Sequence, residues 1–441
     1  MNNIKLAWKN IIHKPLNLLL SILLFALGIG LINFLLLLNT QVKEKFEANL
    51  ADIDLVVGAK GSPLQMILCN MYHIDNPTGN ISVEDASVFF NPRHPVVKKA
   101  IPLSLGDTYR NYRIVGTNYD LLDLYKASLG EGALWKKDFE VTIGKQVADV
   151  TGLKIGDTFL SSHGLQADDD LTHEHGELRV VGILNPTGSV IDQLILTNTS
   201  SVWRVHEEHD HESEDHEGHD HAAEGHEGHD HAEQDSTATM AATEEPDYNS
   251  NQFLLSNPEQ EITALLVQYK VKNNIMALNL PRLINENTKL QAASPAIEIN
   301  KLYSMMGVGT NALQSIALLI AFVSAISIFI TLFRSMRERR YELAIMRVLG
   351  GSRTKIFGLV IMEGLILTLI GFVIGNILSH VGMEVMAKYL HEDFRYSFTG
   401  GKFILDEAYL LVASLIIGFI AAFIPALQAA KTDIHKTLSK Q

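Results

Sequence analysis

The chain has 441 residues, 47% apolar side chains, one cysteine and a formal charge of 36 − 50 = −14. A single cysteine excludes an intramolecular disulfide framework and any Cys₂ or Cys₄ zinc centre within one chain, and the acidic balance argues against a nucleic-acid partner. The charge is concentrated: residues 206–247 hold 16 Asp/Glu and no Lys/Arg, so the remainder sums to −14 + 16 = +2.

In chain order, the first element is an uncharged apolar run from Pro15 to Val42. Roughly 20 apolar residues suffice to cross a bilayer as a helix. The run exceeds the roughly 7–15 residues of a signal-peptide core, and Asn39-Thr40-Gln41-Val42-Lys43 offers no small-x-small cleavage site, so it reads as a retained anchor. Residues 43–301 then alternate short β-like and helical patterns. Strands are predicted at residues 54–57, 112–115, 141–143, 179–184, 193–196 and 263–267, and helices at 41–51, 144–151, 273–286 and from Ala296 onward. Three further apolar runs complete the chain, Leu302 to Phe333, Ile356 to Ser379 (interrupted by Glu363) and Ala408 to Ala430.

Lys and Arg beside the runs set the orientation. Lys5, Lys9 and Lys14 precede the first, Arg334, Arg337, Arg339, Arg340, Arg347, Arg353 and Lys355 lie between the second and third, and Lys431, Lys436 and Lys440 come after the fourth. These segments are expected in the cytoplasm. The fold class expected is therefore membrane α-helical, with four transmembrane helices and a large α+β extracytoplasmic domain between helices 1 and 2. The divisions are 1–42 (cytoplasmic lead-in helix and first span), 43–301 (outer domain), 302–333 (second span), 334–355 (cytoplasmic connection), 356–379 (third span), 380–407 (outer loop), 408–430 (fourth span) and 431–441 (cytoplasmic tail).

Residues 206–247 have almost no large apolar side chains, and such a segment cannot bury enough surface to offset its ordering entropy. It is expected as an inserted loop. Within it a ten-residue repeat places His206, His209 and His211, then His216, His219 and His221, then His226, His229 and His231. Neutral imidazole is a good ligand for Zn²⁺ and other divalent metals, and the surrounding carboxylates favour any divalent cation; a solvated spacer is the competing reading. His163, His173 and His175 flank Asp168-Asp169-Asp170 and suit either a three-ligand zinc site or an exposed hairpin tip. The Met-rich stretch from Ser62 to Tyr72 reads either as core packing or as a receiver for an apolar cargo.

The segment Arg337-Glu338-Arg339-Arg340-Tyr341-Glu342-Leu343-Ala344-Ile345-Met346-Arg347-Val348-Leu349-Gly350-Gly351-Ser352 resembles the cytoplasmic loop of FtsX-like and MacB-like ABC-transporter permeases, the family of macrolide-exporter, lipoprotein-release and cell-division type permeases. Glu363-Gly364, Gly371 and Gly375, the closing Pro425-Ala426-Leu427-Gln428-Ala429-Ala430 and the opening Leu6-Ala7-Trp8-Lys9-Asn10 are similar to the same family. Thr142-Ile143-Gly144-Lys145-Gln146-Val147-Ala148 and Gly152-Leu153-Lys154-Ile155-Gly156-Asp157 resemble its MacB-like periplasmic core domain. Ile434 stands where the family usually has Pro, and the His-rich insert has no counterpart in the general pattern.

The resemblance implies a bacterial inner-membrane permease subunit that is itself not an enzyme. No G-x-x-x-x-G-K-[ST] sequence occurs, so ATP and Mg²⁺ are expected on a separate ABC ATPase subunit. A second permease copy is the expected partner, with membrane lipid around it and a periplasmic or lipoprotein partner outside. Residues 334–355 become the coupling helix, with Arg337, Glu338, Arg339, Arg340, Glu342, Arg347 and Gly350 toward the ATPase and Leu343, Ile345 and Leu349 packed beneath. The implied mechanism is mechanotransmission, in which ATPase motion reshapes the outer domain to move or release an apolar or envelope cargo. Metal-linked transport or sensing through the His repeats, and activation of an envelope enzyme without transport, are the alternatives. Glu363 reads as a buried hydrogen-bonding group, a snorkelling side chain or a proton relay, and Gly371 and Gly375 as helix-packing residues.

Overall fold

The computed structural model describes residues 15–163, 176–205, 247–272, 274–394 and 398–431. It divides into two compact units: residues Lys45–Leu302 form one, and the chain on either side of them forms the other. Helix α1 (Pro15–Leu50) is the first described element, and the lead-in helix expected before it lies outside the described residues.

The sheet unit begins with strand β1 (Leu55–Ala59), helix α2 (Pro63–Tyr72) and strand β2 (Ile81–Ser82), followed by the short helix α3 (Val83–Ala86). A long strand β3 (Val97–Tyr109), β4 (Tyr112–Gly116), helix α4 (Asp120–Leu124), β5 (Leu129–Gly132), β6 (Glu140–Ile143) and helix α5 (Lys145–Thr151) come next. Strands β7 (Thr158–Phe159), β8 (Ser162–His163), β9 (Leu178–Leu184) and β10 (Ile195–Thr197) lead to helix α6 (Asn251–Leu255), and β11 (Glu261–Ile262), β12 (Ala264–Tyr269), helix α7 (Ile275–Asn287) and β13 (Leu290–Ala293) complete the unit.

The main sheet runs β13-β1-β12-β3-β4-β10-β6-β9-β5, with β7 on β9 and β8 on β3, and β11 pairs with β2 separately. It is mixed: β10 lies parallel to β4, and β6 parallel to β9, while β1 is antiparallel to β12 and β13. Two apolar clusters pack on it. Leu55, Val57, Phe89, Phe90, Leu265, Val267 and Leu290 form one, and Ile114, Val141, Ile143, Val147, Phe159, Val180 and Ile195 the other. Each such fully buried side chain contributes roughly 1.5–3 kcal/mol.

The Met-rich stretch is α2, started by Ser62, whose side chain accepts from the Gln65 N–H, and by Pro63 in the first turn. Met66, Ile67, Cys69 and Met71 are fully buried. They pack the interior of the unit, the first of the two readings open for them. The strand expected at 193–196 begins at Ile195, because residues 190–193 form a 3₁₀ turn in which Asp192 accepts from the Thr187 and Gly188 N–H groups.

The second unit holds α8 (Pro295–Glu338) from Tyr303 onward, α9 (Arg340–Val348), α10 (Arg353–Phe394) and α11 (Leu405–Ala430). Together with α1, these include four helices long and apolar enough to cross a membrane. At 1.5 Å per residue, the 36 residues of α1 and the 44 of α8 extend about 54 Å and about 66 Å, beyond the ~30 Å hydrocarbon thickness. Phe25, Ile29, Ile328, Leu332, Leu343, Val360, Leu367 and Ala422 build the core of the unit. Leu318, Leu319, Phe322 and Ile330 stay more than half exposed, a surface that hydrocarbon stabilises and water does not. The third long helix runs on to Phe394, through much of the segment expected as an outer loop at 380–407.

Small residues set the closest crossings. A Cβ on Gly30 would stand 2.9 Å from the Gly375 carbonyl oxygen, one on Gly375 2.6 Å from the Ala26 carbonyl oxygen, and one on Gly371 2.7 Å from the Phe25 ring. A Cβ on Gly364 would meet Ala422 at 2.6 Å. Polar side chains add interhelical bonds: Ser21 lies 2.9 Å from both Ser327 and Thr331, and Asn33 donates to Ser379 at 2.6 Å.

Candidate functional site

The residues singled out between the second and third apolar runs fold into α9 and its two ends. The helix stops in a Schellman turn: Gly351 N–H donates to the Met346 carbonyl at 2.8 Å and Gly350 N–H to Arg347 at 3.1 Å. Gly350 has φ +93°, and a Cβ on Gly351 would sit 2.7 Å from the Met346 oxygen, so glycine is needed at both positions for different reasons. Ser352 then receives the Lys355 N–H on its hydroxyl at 3.3 Å and starts α10.

The helix is amphipathic in an uncommon sense. Leu343 and Ala344 are buried in the helical core, whereas Tyr341, Ile345, Val348 and Leu349 are exposed, Leu349 by 81%. Spacings of four, seven and eight residues from Tyr341 place these four on one helical stripe. Ile345 and Leu349, expected beneath the helix with Leu343, instead face outward, because Leu343 and Ala344 already fill its inner side. Arg337, Arg340, Glu342 and Gly350 are exposed, and Arg347 is half-buried. Arg337 lies over the Phe333 ring at 5.6 Å, and Arg334 pairs with Glu338 at 3.2 Å.

Arg339 differs from the other arginines. Its Nη1 donates to Glu363 Oε1 at 3.2 Å, and the two side chains are only 17% and 4% exposed. Glu363 lies ten residues into α10, about 15 Å along its axis, where an unpaired carboxylate would be costly. The ion pair therefore ties the junction of α8 and α9 to the body of α10.

A second polar cluster sits toward the other end of α10. His380 Nδ1 is 2.6 Å from the Gly400 carbonyl oxygen and its Nε2 3.3 Å from the Glu407 carboxylate. Asn376 donates to Glu407 at 3.0 Å, and Glu384 accepts from Gly400 N–H at 2.9 Å. Gln41 of α1 both donates to and accepts from Thr399, and Lys402 pairs with Glu44. Glu363 is the one ionisable group inside the apolar runs, whereas His380 and Glu407 border them and carry no such signal in the sequence. The available signal was Asp406-Glu407 at a helix start, where Glu407 accepts from the Ile404 N–H.

The candidate metal ligands His173, His175, His206, His209, His211, His216, His219, His221, His226, His229 and His231 lie outside the described residues. His163 is in β8, opposite Asp107 of β3. Among the described residues no group of three His, Cys, Asp or Glu side chains is placed to hold a metal ion.

Residues 315–434 match the FtsX-like permease C-terminal family. The macrolide export ATP-binding/permease protein MacB of Agrobacterium fabrum is 28% identical over 128 residues, covering 29% of this chain and 19% of that protein. An uncharacterized ABC transporter permease of Methanocaldococcus jannaschii is 28% identical over 143 residues, covering 31% of this chain and 34% of that one. The chain thus spans a fifth to a third of the length of these curated relatives. The crystal structure of the periplasmic region of MacB from Actinobacillus actinomycetemcomitans covers 58% of this chain and 97% of its own, at 10% identity and a TM-score of 0.31.

Proposed function

We propose, from the match of residues 315–434 to the FtsX-like permease C-terminal family, that this chain is the permease subunit of an ABC transporter in a bacterial inner membrane. ATP hydrolysis is supplied by a separate ATPase subunit, which docks on α9. The observation that carries this reading is the exposed stripe of Tyr341, Ile345, Val348 and Leu349. A charged, arginine-rich connection has no intrinsic reason to turn four large apolar side chains outward, and a docking partner supplies one. Arg337 and Arg340 form the rim of that surface.

In this reading the Arg339–Glu363 pair passes displacement of α9 into α10, and the outer unit responds by moving or releasing an apolar or envelope cargo. One relative is named for macrolide export; an apolar cargo is consistent with that name without fixing its identity. The permease works as a pair, as the two-motor arrangement of ABC ATPases requires. The three His repeats of 206–231 support a second reading, in which transport is linked to a divalent metal, and that reading stands on the repeat sequence alone.

The docking proposal is tested by purifying the full-length chain from its native cells, unaltered and with Ile345→Asp and Leu349→Asp together. The unaltered chain is expected to bring an ATP-hydrolysing subunit with it and the double variant to lose it. Equal ATPase activity in both preparations, or none with the unaltered chain, overturns the assignment.

A further inference from the structure

A cavity of about 550 Å³ opens in the sheet unit between β3, the helical residues 199–205 and the approach to β11, within the roughly 300–1,000 Å³ of small-molecule sites. Ser104 of β3 lies directly opposite Gly116 of β4, so both present the same face of the sheet. A Cβ on Gly116 would stand 2.8 Å from Val202 Cγ2 and 3.0 Å from Thr199 Cα, so this face is the one that residues 199–205 cover. Ser104 therefore turns its hydroxyl toward Val202 and Trp203, which line the cavity with it. The residue is 3% exposed, and its oxygen has no hydrogen-bond partner among the described residues, whereas a buried hydroxyl ordinarily has one. A polar group on a bound molecule would satisfy it.

The walls select the charge of that molecule. The Trp203 indole donates to the Glu261 carbonyl oxygen at 2.7 Å and stacks on Phe253 at 6.1 Å and 22°, which fixes the ring beside the cavity. Thr263 Oγ1 accepts from the Leu105 N–H at 2.9 Å and donates to Asn80 Oδ1 at 3.2 Å, holding the opposite wall. Glu259 and Glu261 line the cavity and are exposed, and none of the described lining residues is Lys, Arg or His. Two carboxylates beside an indole attract a positive charge and repel an anion. They are too few for a hard metal ion that seeks roughly 6–8 oxygens, and among the described residues no group of three His, Cys, Asp or Glu side chains is placed to hold one. We propose that this cavity binds a protonated organic amine: the ammonium on Glu259 and Glu261, the apolar body against Trp203 and Val202, and a polar group on Ser104. The site lies wholly within the sheet unit, so it stands or falls independently of where an ATPase docks.

The test is isothermal titration of the full-length chain in phosphatidylcholine nanodiscs at about 0.15 M salt, with the heats of empty discs subtracted. The probes are tyramine, tyrosol and hydroxyphenylacetate, which share a hydroxyphenyl body and differ in carrying an ammonium, a hydroxyl or a carboxylate. Tyramine is expected to bind about tenfold more tightly than tyrosol, and hydroxyphenylacetate to give no binding heat. Glu259→Gln and Glu261→Gln together are expected to lower tyramine affinity about tenfold, a loss of about 1.4 kcal/mol, and to leave tyrosol unchanged, which also reports an intact fold. Ser104→Ala is expected to weaken tyramine and tyrosol alike, about threefold or more, with the preference for the amine kept. The 16 Asp/Glu of residues 206–247 are common to every variant, so tyramine affinity unchanged in the double variant places the amine on that segment and overturns the proposal. Equal affinity for tyramine and tyrosol in the unaltered chain overturns it as well.

Discussion

Arg339 and Glu363, 24 positions apart, meet at 3.2 Å with little solvent access to either, so two residues from opposite sides of a sharp chain reversal share one buried charge balance. Removing one partner leaves the other charged and desolvated. Arg339→Ala is expected to destabilise the helical unit by about 3–5 kcal/mol, read as a lowered thermal midpoint of the full chain in detergent. Arg334→Ala, which breaks only the exposed pair with Glu338, is expected to cost under ~0.5 kcal/mol.

The helix crossings give a contrast in the same measurement. Gly375→Leu pushes carbons into the Ala26 backbone and is expected to cost about 1–3 kcal/mol or more. Gly307 of α8 has nothing within 4 Å of a built Cβ. Gly307→Ala is therefore expected to be neutral or to stabilise by up to ~1 kcal/mol.

In the sheet unit, burial pushes the Cys69 thiol up, opposed by the guanidinium of Arg113, whose Nη1 donates to Sγ at 3.1 Å. Burial, with Asp54 adding to it, likewise pushes the Tyr269 hydroxyl up. Both groups hold their protons more tightly folded than unfolded, so stability is full below the ordinary thiol value and declines above about pH 8.5. Denaturant midpoints of the full chain measured at neutral and alkaline pH are expected to fall, with a shallower fall in Cys69→Ala. Alkylation of Cys69 is expected only after unfolding.

For the metal reading, isothermal titration of the full chain with Zn²⁺ is expected to show binding of micromolar affinity or tighter that disappears when residues 206–231 are deleted. Weaker binding, or binding that survives the deletion, removes the His repeats from consideration.

Much of the helical unit was legible because apolar runs of helix length have few other uses, and the charge between Arg334 and Lys355 marked their connection. The facing of α9 was not legible: Leu343, Ile345 and Leu349 are equally apolar, and only the burial of Ala344 and of Leu343, which joins the cluster that holds Leu332 and Val360, decides which go inside. Strand β3 escaped detection because Lys98, Lys99, Pro102, Gly106 and Asp107 break its alternation. Yet Asp107 and Thr108 are 4% and 1% exposed, with Ser161 donating to the Asp107 carboxylate at 2.8 Å. His380 and Glu407 were hidden for another reason, since neither is informative alone and they meet only when α10 overruns its apolar segment and α11 begins with an acidic turn.

The paired glycines that end α9 have a mechanical corollary. Because Gly350 and Gly351 close the reversal with two backbone hydrogen bonds and Ser352 starts the next helix at once, no slack tether separates the exposed stripe from α10. A partner gripping Tyr341 and Leu349 would turn a stiff crank, and lengthening this hook by a few flexible residues would let the grip persist while the stroke was lost.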